Sequence, residues 1–329
     1  MKKRVLVFTA ALMLAAGSLV AQTTLTDVIN EFNAGVESLN AQSYETALNQ
    51  FNNALALSEE VGEEADDMKL QAQEQVVGTH YRQAITLMKR KQYDQALPAL
   101  EKTVETSAEY EVKPEFAEKA VRYLPPLYLR EGNVLLKQSE YDKAMEVFDK
   151  AVELKPDLYK AHQGKGLVYK QRGEIDQMME EFNIAKAKAT EKGDDEVIEE
   201  INKAINGYYR TLIDEELMMM DTEDPDYTFL LDICDQAIAA NDENGYAYWQ
   251  AAMARNKMIE YDAAIELAKK GLESETDPVL RSALYYEMGL GYQNTANYAE
   301  ACEAYGSVTE EPFLSKAEKK LDTPQLGCS

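Results

Sequence analysis

The chain is poor in the residues that most often carry catalytic or metal chemistry. Its 329 residues include two histidines, three cysteines and one tryptophan. The cysteines form no CxxC pair and no Cys/His cluster, so zinc or thiol redox chemistry has no motif here. Two isolated histidines also argue against a histidine-dependent hydrolase or a metalloenzyme. We therefore expect no catalytic residues, no metal and no cofactor, and a protein that is not an enzyme.

Basic side chains are scarce as well. The chain has 34 Lys and Arg residues but 59 Asp and Glu residues, which gives a formal net charge of −25. Such an excess of negative charge repels phosphate groups, so it argues against nucleic acid and against anionic membrane surfaces. It fits a solvated acidic exterior, a basic partner or a cation-rich compartment.

Long apolar runs are absent except at the amino terminus. Lys2 to Arg4 form a basic start, an apolar run covers Val5 to Val20, and Ala21 is a small residue at the position that signal peptidase needs. The run is shorter than the roughly 20 residues that span a bilayer. We expect a signal peptide over residues 1–21, cleavage after Ala21 and no transmembrane anchor in the mature chain. The expected location is the periplasm, with secretion as the second choice.

A four-residue unit, Tyr-acidic-x-Ala, recurs along the chain. Four copies begin at Tyr44, Tyr93, Tyr141 and Tyr261, and a near copy begins at Tyr298. Apolar residues follow each copy at helical spacing, and a small residue lies about twelve positions before each Ala. The pattern predicts a helix, a short turn and a second helix as the repeating unit, with the small residue allowing close helix contact.

The spacing of these features resembles the tetratricopeptide repeat. Gly132, Phe148 and Ala151 recur 34 positions later as Gly166, Phe182 and Ala185, and 34 residues is the period of that family. The resemblance implies an all-α, right-handed superhelical solenoid of antiparallel helix pairs. It implies about seven units, at 28–61, 77–110, 125–158, 159–192, 196–244, 245–278 and 282–315.

The units predict two arrays after the signal peptide. The first array covers 22–192 and the second 193–321, with a capping helix over 313–321 and a flexible tail over 322–329. Extra residues around 60–76, 108–124 and 207–226 predict longer helices or inserted turns. Pro125 and Pro126 suit the start of a helix.

The remaining candidates for chemistry have structural explanations. His80 and His162 occupy the same repeat position, four residues before the small residue, where a large packing side chain is expected. The acidic stretch 221–226 lacks the glycine and the final glutamate of an EF-hand loop, so a solvated loop is the better interpretation than a calcium site. Cys234 falls on an apolar helical face, whereas Cys302 and Cys328 are candidates for a disulfide that would hold the tail.

The family resemblance also implies a concave groove lined by the first helix of each repeat. The groove positions, transferred by register, supply a set of candidate partner-binding residues: Phe32, Tyr81, Leu129, Asn133, Tyr246, Trp249, Met253 and Tyr286. Aromatic anchors along a groove suit an extended or helical segment of another protein. The competing interpretation is that these rings pack within the stack.

The sequence thus predicts a protein-interaction module or assembly scaffold in an envelope complex. The expected partner is a protein or peptide whose bound segment has apolar anchor residues and basic flanking residues. The alternative is a non-catalytic receptor for a glycan or small molecule, because the second half, 246–305, is rich in Tyr and contains the single Trp.

Overall fold

The structure is a computed structural model that describes residues 23–221, 223–324 and 326–328. The expected signal peptide, residues 1–21, lies outside the described residues, and its cleavage after Ala21 stays a prediction. Within the described ranges the secondary structure is helical, without strands. The all-α prediction is confirmed.

Fifteen α-helices and one 3₁₀ turn at Glu63–Ala65 make up the described part of the chain. The helices are α1 (Leu25–Asn40), α2 (Tyr44–Val61), α3 (Asp66–Lys89), α4 (Tyr93–Tyr110), α5 (Pro114–Lys137), α6 (Tyr141–Leu154), α7 (Tyr159–Arg172), α8 (Ile175–Lys192), α9 (Asp195–Met219), α10 (Thr228–Ala240), α11 (Gly245–Lys257), α12 (Tyr261–Ser274), α13 (Pro278–Asn294), α14 (Tyr298–Gly306) and α15 (Leu314–Leu321).

The repeated tyrosine marks the first residue of the second helix in five of the described pairs. Helices α2, α4, α6, α12 and α14 all begin on the Tyr of a Tyr-x-x-Ala unit. The residue two positions earlier has a positive φ in each of these turns, as at Gln42 (58°) and Ser139 (62°). One residue in the left-handed region lets the chain reverse within two or three residues, so the paired helices lie antiparallel.

Where the small residue of a repeat is glycine, it lies against an aromatic ring of the paired helix. A Cβ added to Gly132 would come within 2.4 Å of the Phe148 ring, and one added to Gly164 would also come within 2.4 Å of it. Gly166 has the same relation to Phe182, at 2.4 Å. Both rings are fully buried. The predicted close helix contact at the small residue is therefore confirmed.

The extra residues between repeats lengthen helices. Helices α3 and α5 have 24 residues and α9 has 25, against 14 in α6 and α7. Pro125 and Pro126 lie inside α5, so the expectation that they start a helix is wrong. The helix starts at Pro114 instead, because a proline is tolerated in the first turn, where no N–H is needed.

The described helices divide into two compact units within α5. The first ends at Leu127 and the second begins at Tyr128. In the first unit, α1 packs on α2 and α3 on α4 around residues such as Phe51 and Val76. In the second, the largest buried cluster joins α8, α9, α10 and α11 around residues such as Phe182 and Ile205. The expected division into arrays at residue 192 stays a prediction.

The C-terminal end of the second unit is covalently closed. Cys302 of α14 and Cys328 of the tail form a disulfide, with their Cα atoms 5.6 Å apart. Leu326 of the tail is buried with Tyr305 and Phe313, which belong to the same apolar cluster as Ala317 of α15. The tail therefore packs as part of the cap on this end of the helices.

Candidate functional site

A cleft lies between α11, α13 and the C-terminal cap. Its volume is about 590 Å³, within the range of about 300–1,000 Å³ that is usual for ligand sites. We call it the α11/α13 cleft. The lining residues used below are Trp249, Met253, Asn256, Tyr286, Glu287 and Phe313. Three of the eight predicted groove residues, Trp249, Met253 and Tyr286, thus come together in one place.

Aromatic rings form one wall of the cleft. The Trp249 and Phe313 rings meet edge to face, with centroids 5.5 Å apart and an interplanar angle of 88°. The Tyr286 ring lies 6.0 Å from Phe313. Phe313 comes from the cap, so the wall is complete only when the cap is docked on the last helix pair.

Two buried polar atoms of the lining residues have no hydrogen-bond partner among the described residues. They are the Trp249 Nε1–H donor and the Asn256 Oδ1 acceptor. Asn256 Nδ2 is satisfied, because it donates to the Glu287 carbonyl oxygen at 2.9 Å and to Glu287 Oε2 at 2.8 Å. These bonds fix the orientation of the amide and leave its oxygen as an acceptor.

Glu287 is a buried acidic side chain at the cleft. It is 5% exposed. Burial raises the pKa of its carboxyl, although the Asn256 hydrogen bond and the nearby charges of Lys257 and Lys316 oppose the rise. The cleft therefore has a polar floor with a carboxyl held toward its neutral form, and two lysines also line it.

Tyr246 is engaged with α9 and does not line the cleft. Its hydroxyl donates to Asp214 Oδ1, and the Arg210 guanidinium lies 4.6 Å from the ring centroid. Burial and the Asp214 hydrogen bond raise the pKa of Tyr246. The Tyr246 ring packs edge to face against the Trp249 ring, with centroids 5.5 Å apart, so it helps to hold the indole in place.

Asn133 lies in a different cleft, of about 420 Å³, between α5 and α7 and beside α9. Gln163 and Leu167, two further groove positions in the repeat register, line the same cleft. Gln163 Nε2 donates to Glu200 at 2.7 Å. Leu129 is half-buried and lines neither cleft.

The two candidate residues of the first unit pack against neighbouring rings. Phe32 lies 5.6 Å from Phe51, and Tyr81 stacks on Phe116 at 5.0 Å. Both side chains are half-buried. These contacts agree with the interpretation that the Phe32 and Tyr81 rings pack within the stack of helices.

Asn256, Glu287 and Phe313 line the α11/α13 cleft but were not among the predicted groove residues. Asn256 follows Trp249 by seven residues, which is two helical turns, so helical spacing places it on the same face. Phe313 was expected to face inward from the capping helix, but nothing in the sequence placed it against Trp249. Glu287 is the residue after Tyr286. Nothing in the sequence distinguishes it from the other acidic residues of the chain.

The histidines have structural partners in the described chain. His162 Nδ1 lies 2.6 Å from Glu181 Oε2, and Lys165 Nζ lies 2.6 Å from the other carboxylate oxygen. Burial alone would raise the pKa of Glu181, but these bonds hold it below its usual value. Burial lowers the pKa of His80 to about 4. Both histidines therefore lie in packed surroundings.

Searches for two other kinds of site found nothing in the described ranges. No group of three or more His, Cys, Asp or Glu side chains is placed to hold a metal ion. Among the same residues, no helix combines the length and apolar character needed to cross a membrane.

Comparisons with known proteins agree with the repeat geometry. Residues 132–173 match the family model described as TPR repeat. The solved structure of YrrB, described as a TPR protein with an unusual peptide-binding site, is 21% identical, with a TM-score of 0.31, over 59% of this chain and 91% of that one.

Two further solved structures have similar scores. The TPR2AB domain of yeast Sti1, in its pHSP90 complex, is 16% identical, with a TM-score of 0.37, over 92% of this chain and 97% of that one. PilF of Pseudomonas aeruginosa is 16% identical, with a TM-score of 0.32, over 63% and 88%. No curated protein matches the sequence.

The match at residues 132–173 covers the end of α5, α6 and α7, where Gly132 and Gly164 contact the Phe148 ring. A similar contact joins Gly35 to Phe51, Gly166 to Phe182 and Gly289 to Tyr305. Helices α2, α4, α12 and α14 also begin on a Tyr. Residues 132–173 therefore carry a tetratricopeptide repeat, and the described part of the chain has an all-α helical repeat fold.

Proposed function

We propose that this protein is a protein-interaction module of the periplasm, which binds a segment of a partner protein in the α11/α13 cleft. The observation that carries the proposal is the cleft itself. It combines a wall of aromatic rings with polar and charged side chains, and such a surface can anchor a segment of another protein. The location follows from the expected signal peptide. Secretion is the second choice, and an envelope complex is the expected setting.

The chemistry of the cleft favours binding over turnover. Its one buried acid, Glu287, is held by Asn256, and no Ser, Thr, Cys or His side chain lines the cleft. The lining offers anchoring contacts instead.

A pulldown tests the proposal. The mature chain, crosslinked in an envelope extract of its own source, is compared with Trp249→Ala and with Tyr298→Ala. Tyr298 is exposed, starts α14 and does not line the cleft, so it is the matched control. We expect Trp249→Ala to lose partners that the wild type and Tyr298→Ala retain. Equal recovery with all three, once circular dichroism shows that each is folded, would reject the cleft as the interaction site.

A further inference from the structure

Exposed apolar side chains are concentrated at the end of α9 and the start of α10. Met218 is 84% exposed, Met219 is 74% exposed and Phe229 is 59% exposed. Of the other large apolar side chains in the described ranges, only Ile259, at 72%, is exposed to a similar extent. A group of large apolar side chains in water marks a surface that gains free energy when a partner covers it.

The extra length of α9 explains why its two methionines are exposed. The helix buries every fourth residue of one face: Val197, Ile201, Ile205, Tyr209 and Ile213. Leu217 continues this series and packs against the same core. Met218 and Met219 come one and two positions later, about 100° and 200° around the helix, so their side chains point away from that core.

Phe229 of α10 belongs to the same end of the helix pair. Helices α9 and α10 pack against each other and are joined by residues 220–227. The last turn of α9 and the first turn of α10 therefore lie side by side. We call Met218, Met219 and Phe229 the α9/α10 tip. None of them is a predicted groove residue, and none lines the α11/α13 cleft or the cleft that contains Asn133.

The charge around the tip indicates what kind of partner fits it. Residues 211–254 include eleven Asp and Glu residues but no Lys or Arg. Six of these acidic residues are exposed close to the tip in the sequence: Glu215, Asp221, Glu223, Asp224, Asp226 and Asp232. Their negative potential attracts a cationic segment and repels an anionic one. The α11/α13 cleft, which two lysines line, has no such preference.

We propose that the α9/α10 tip is a second interaction surface, which binds a cationic segment of a partner protein with apolar side chains between its Lys and Arg residues. The apolar side chains of the segment pack on Met218, Met219 and Phe229, and its cations lie over the surrounding carboxylates. An apolar centre within a charged rim is the usual anatomy of a protein interface. The flexible thioether side chains adapt to the shape of the segment. This surface is separate from the α11/α13 cleft, so it does not depend on the proposed function.

Methionine methyl groups make the test specific to the site. The mature chain, labelled with carbon-13 at the methionine methyl groups, is titrated with acetyl-Lys-Leu-Lys-Lys-Leu-Leu-Lys-amide and followed by NMR. We expect saturable shifts of the Met218 and Met219 methyl resonances. The resonance of Met253, which lines the α11/α13 cleft, should not move.

Two altered peptides separate the apolar contribution from the charge. One has Ser in place of each Leu, and the other has Glu in place of each Lys. Each should bind at least about tenfold more weakly than the parent peptide, because the first lacks apolar anchors and the second is repelled. Equal binding of the Ser peptide would reduce the interaction to non-specific attraction between opposite charges and reject the tip as a docking surface.

Variants with matched controls locate the apolar contact. Phe229→Gln, and separately Met218→Gln combined with Met219→Gln, should weaken binding of the dye-labelled parent peptide by about tenfold, as measured by fluorescence anisotropy. Ile259→Asn removes an apolar side chain that is equally exposed but lies outside the tip, so it should leave the affinity unchanged. Because the two tip variants change different helices, one of them decides if the other fails to fold.

A second pair of variants locates the charge. Glu223→Gln combined with Asp224→Asn should weaken peptide binding and make it less sensitive to salt. Glu63→Gln combined with Glu64→Gln removes the same charge from exposed positions in the first unit and should have little effect. Equal weakening by both pairs would show that net charge alone attracts the peptide, which would contradict a site at the tip.

Three other results would overturn the inference. The first is wild-type affinity in both folded tip variants. The second is a peptide-induced shift of Met253 without shifts of Met218 and Met219, which would assign the segment to the α11/α13 cleft and support the proposed function. The third is a shift of the tip methyl resonances with protein concentration in the absence of peptide, together with a dimer in sedimentation, which would identify a second copy of the chain as the occupant.

Discussion

One turn of the chain has an unfavourable residue at its left-handed position. Ile259, two positions before α12, has a φ of 67° and is 72% exposed. A β-branched residue in this region is a conformational outlier, with a cost of about 1–2 kcal/mol. Because the side chain is exposed, replacing it removes little packing.

Ile259→Asn should therefore stabilise the protein by about 1 kcal/mol, since asparagine tolerates the left-handed region. Urea denaturation followed by circular dichroism measures the change. Ile259→Val is the matched control and should give no gain, because valine is also β-branched. An Asn variant no more stable than the Val variant would show that the turn carries no such cost.

Glu287 makes stability depend on pH in a direction opposite to that of an ordinary ion-paired carboxylate. Burial raises its folded-state pKa above 4.5, so the folded state holds the proton more tightly than the unfolded state. The stabilisation is fully present below the unfolded pKa. It is lost as the pH rises through the raised folded-state value.

Glu287→Gln should remove this loss, because the amide keeps an acceptor for Asn256 Nδ2 and carries no charge. The variant should match the wild type in acid and exceed it at higher pH, as measured by urea denaturation across that range. Glu300→Gln, at an exposed position of α14, should leave the wild-type profile unchanged. A Glu287→Gln profile parallel to that of the wild type would mean that Glu287 is paired as an anion.

At the scale of single elements, the disulfide decides how firmly α15 is held. Cys302 and Cys328 are separated by 26 residues, and closing a loop of that length is worth about 3–4 kcal/mol in the chain-entropy model. Helix α15 has only eight residues, too few to be stable without its neighbours.

Cys328→Ser should therefore increase amide hydrogen exchange in α15 and the tail, while α1 and α2 keep wild-type protection. Mass spectrometry of the exchanged protein resolves these segments. Cys302→Ser should have the same effect, and the double variant should be no worse than either, since one bond is lost in each case. Unchanged exchange in α15 would show that its apolar contacts suffice.

Helices were predictable where the signal is local. The Tyr that starts α6 and the Gly132–Phe148 contact follow from a 34-residue period that is visible in the sequence. The long helix α5 was not placed correctly, because Pro125 and Pro126 resemble a helix start although the helix had already begun at Pro114.

The cleft was predictable only in part, because the repeat pattern describes local structure and not the packing between distant helices. The repeat register placed Trp249, Met253 and Tyr286 on first helices, and they do line one cleft. The bond from Asn256 to Glu287 joins residues 31 positions apart on different helices, and its partners carry no periodic signal. The packing of the cap, which brings Phe313 against Trp249, could not be predicted from a local repeat either.

For the whole molecule, the dominant electrostatic fact is the net charge of −25. Like charges in such excess repel one another and destabilise the compact state. Salt shortens the range of this repulsion, from about 30 Å at 0.01 M to about 3 Å at 1 M. It also weakens exposed ion pairs such as Lys203–Glu199, but each of these contributes only about 0–1 kcal/mol.

The repulsion should dominate, so sodium chloride should raise the melting temperature at neutral pH. We expect a rise of about 1–2 °C between low salt and half-molar salt, which corresponds to ~1 kcal/mol for a chain of 329 residues. The control is the same titration near pH 4.5, the isoelectric point of the sequence. There the net repulsion vanishes, so salt should leave the melting temperature unchanged or lower it by screening ion pairs. A rise of equal size at both pH values would assign the effect to salting-out of apolar surface rather than to charge.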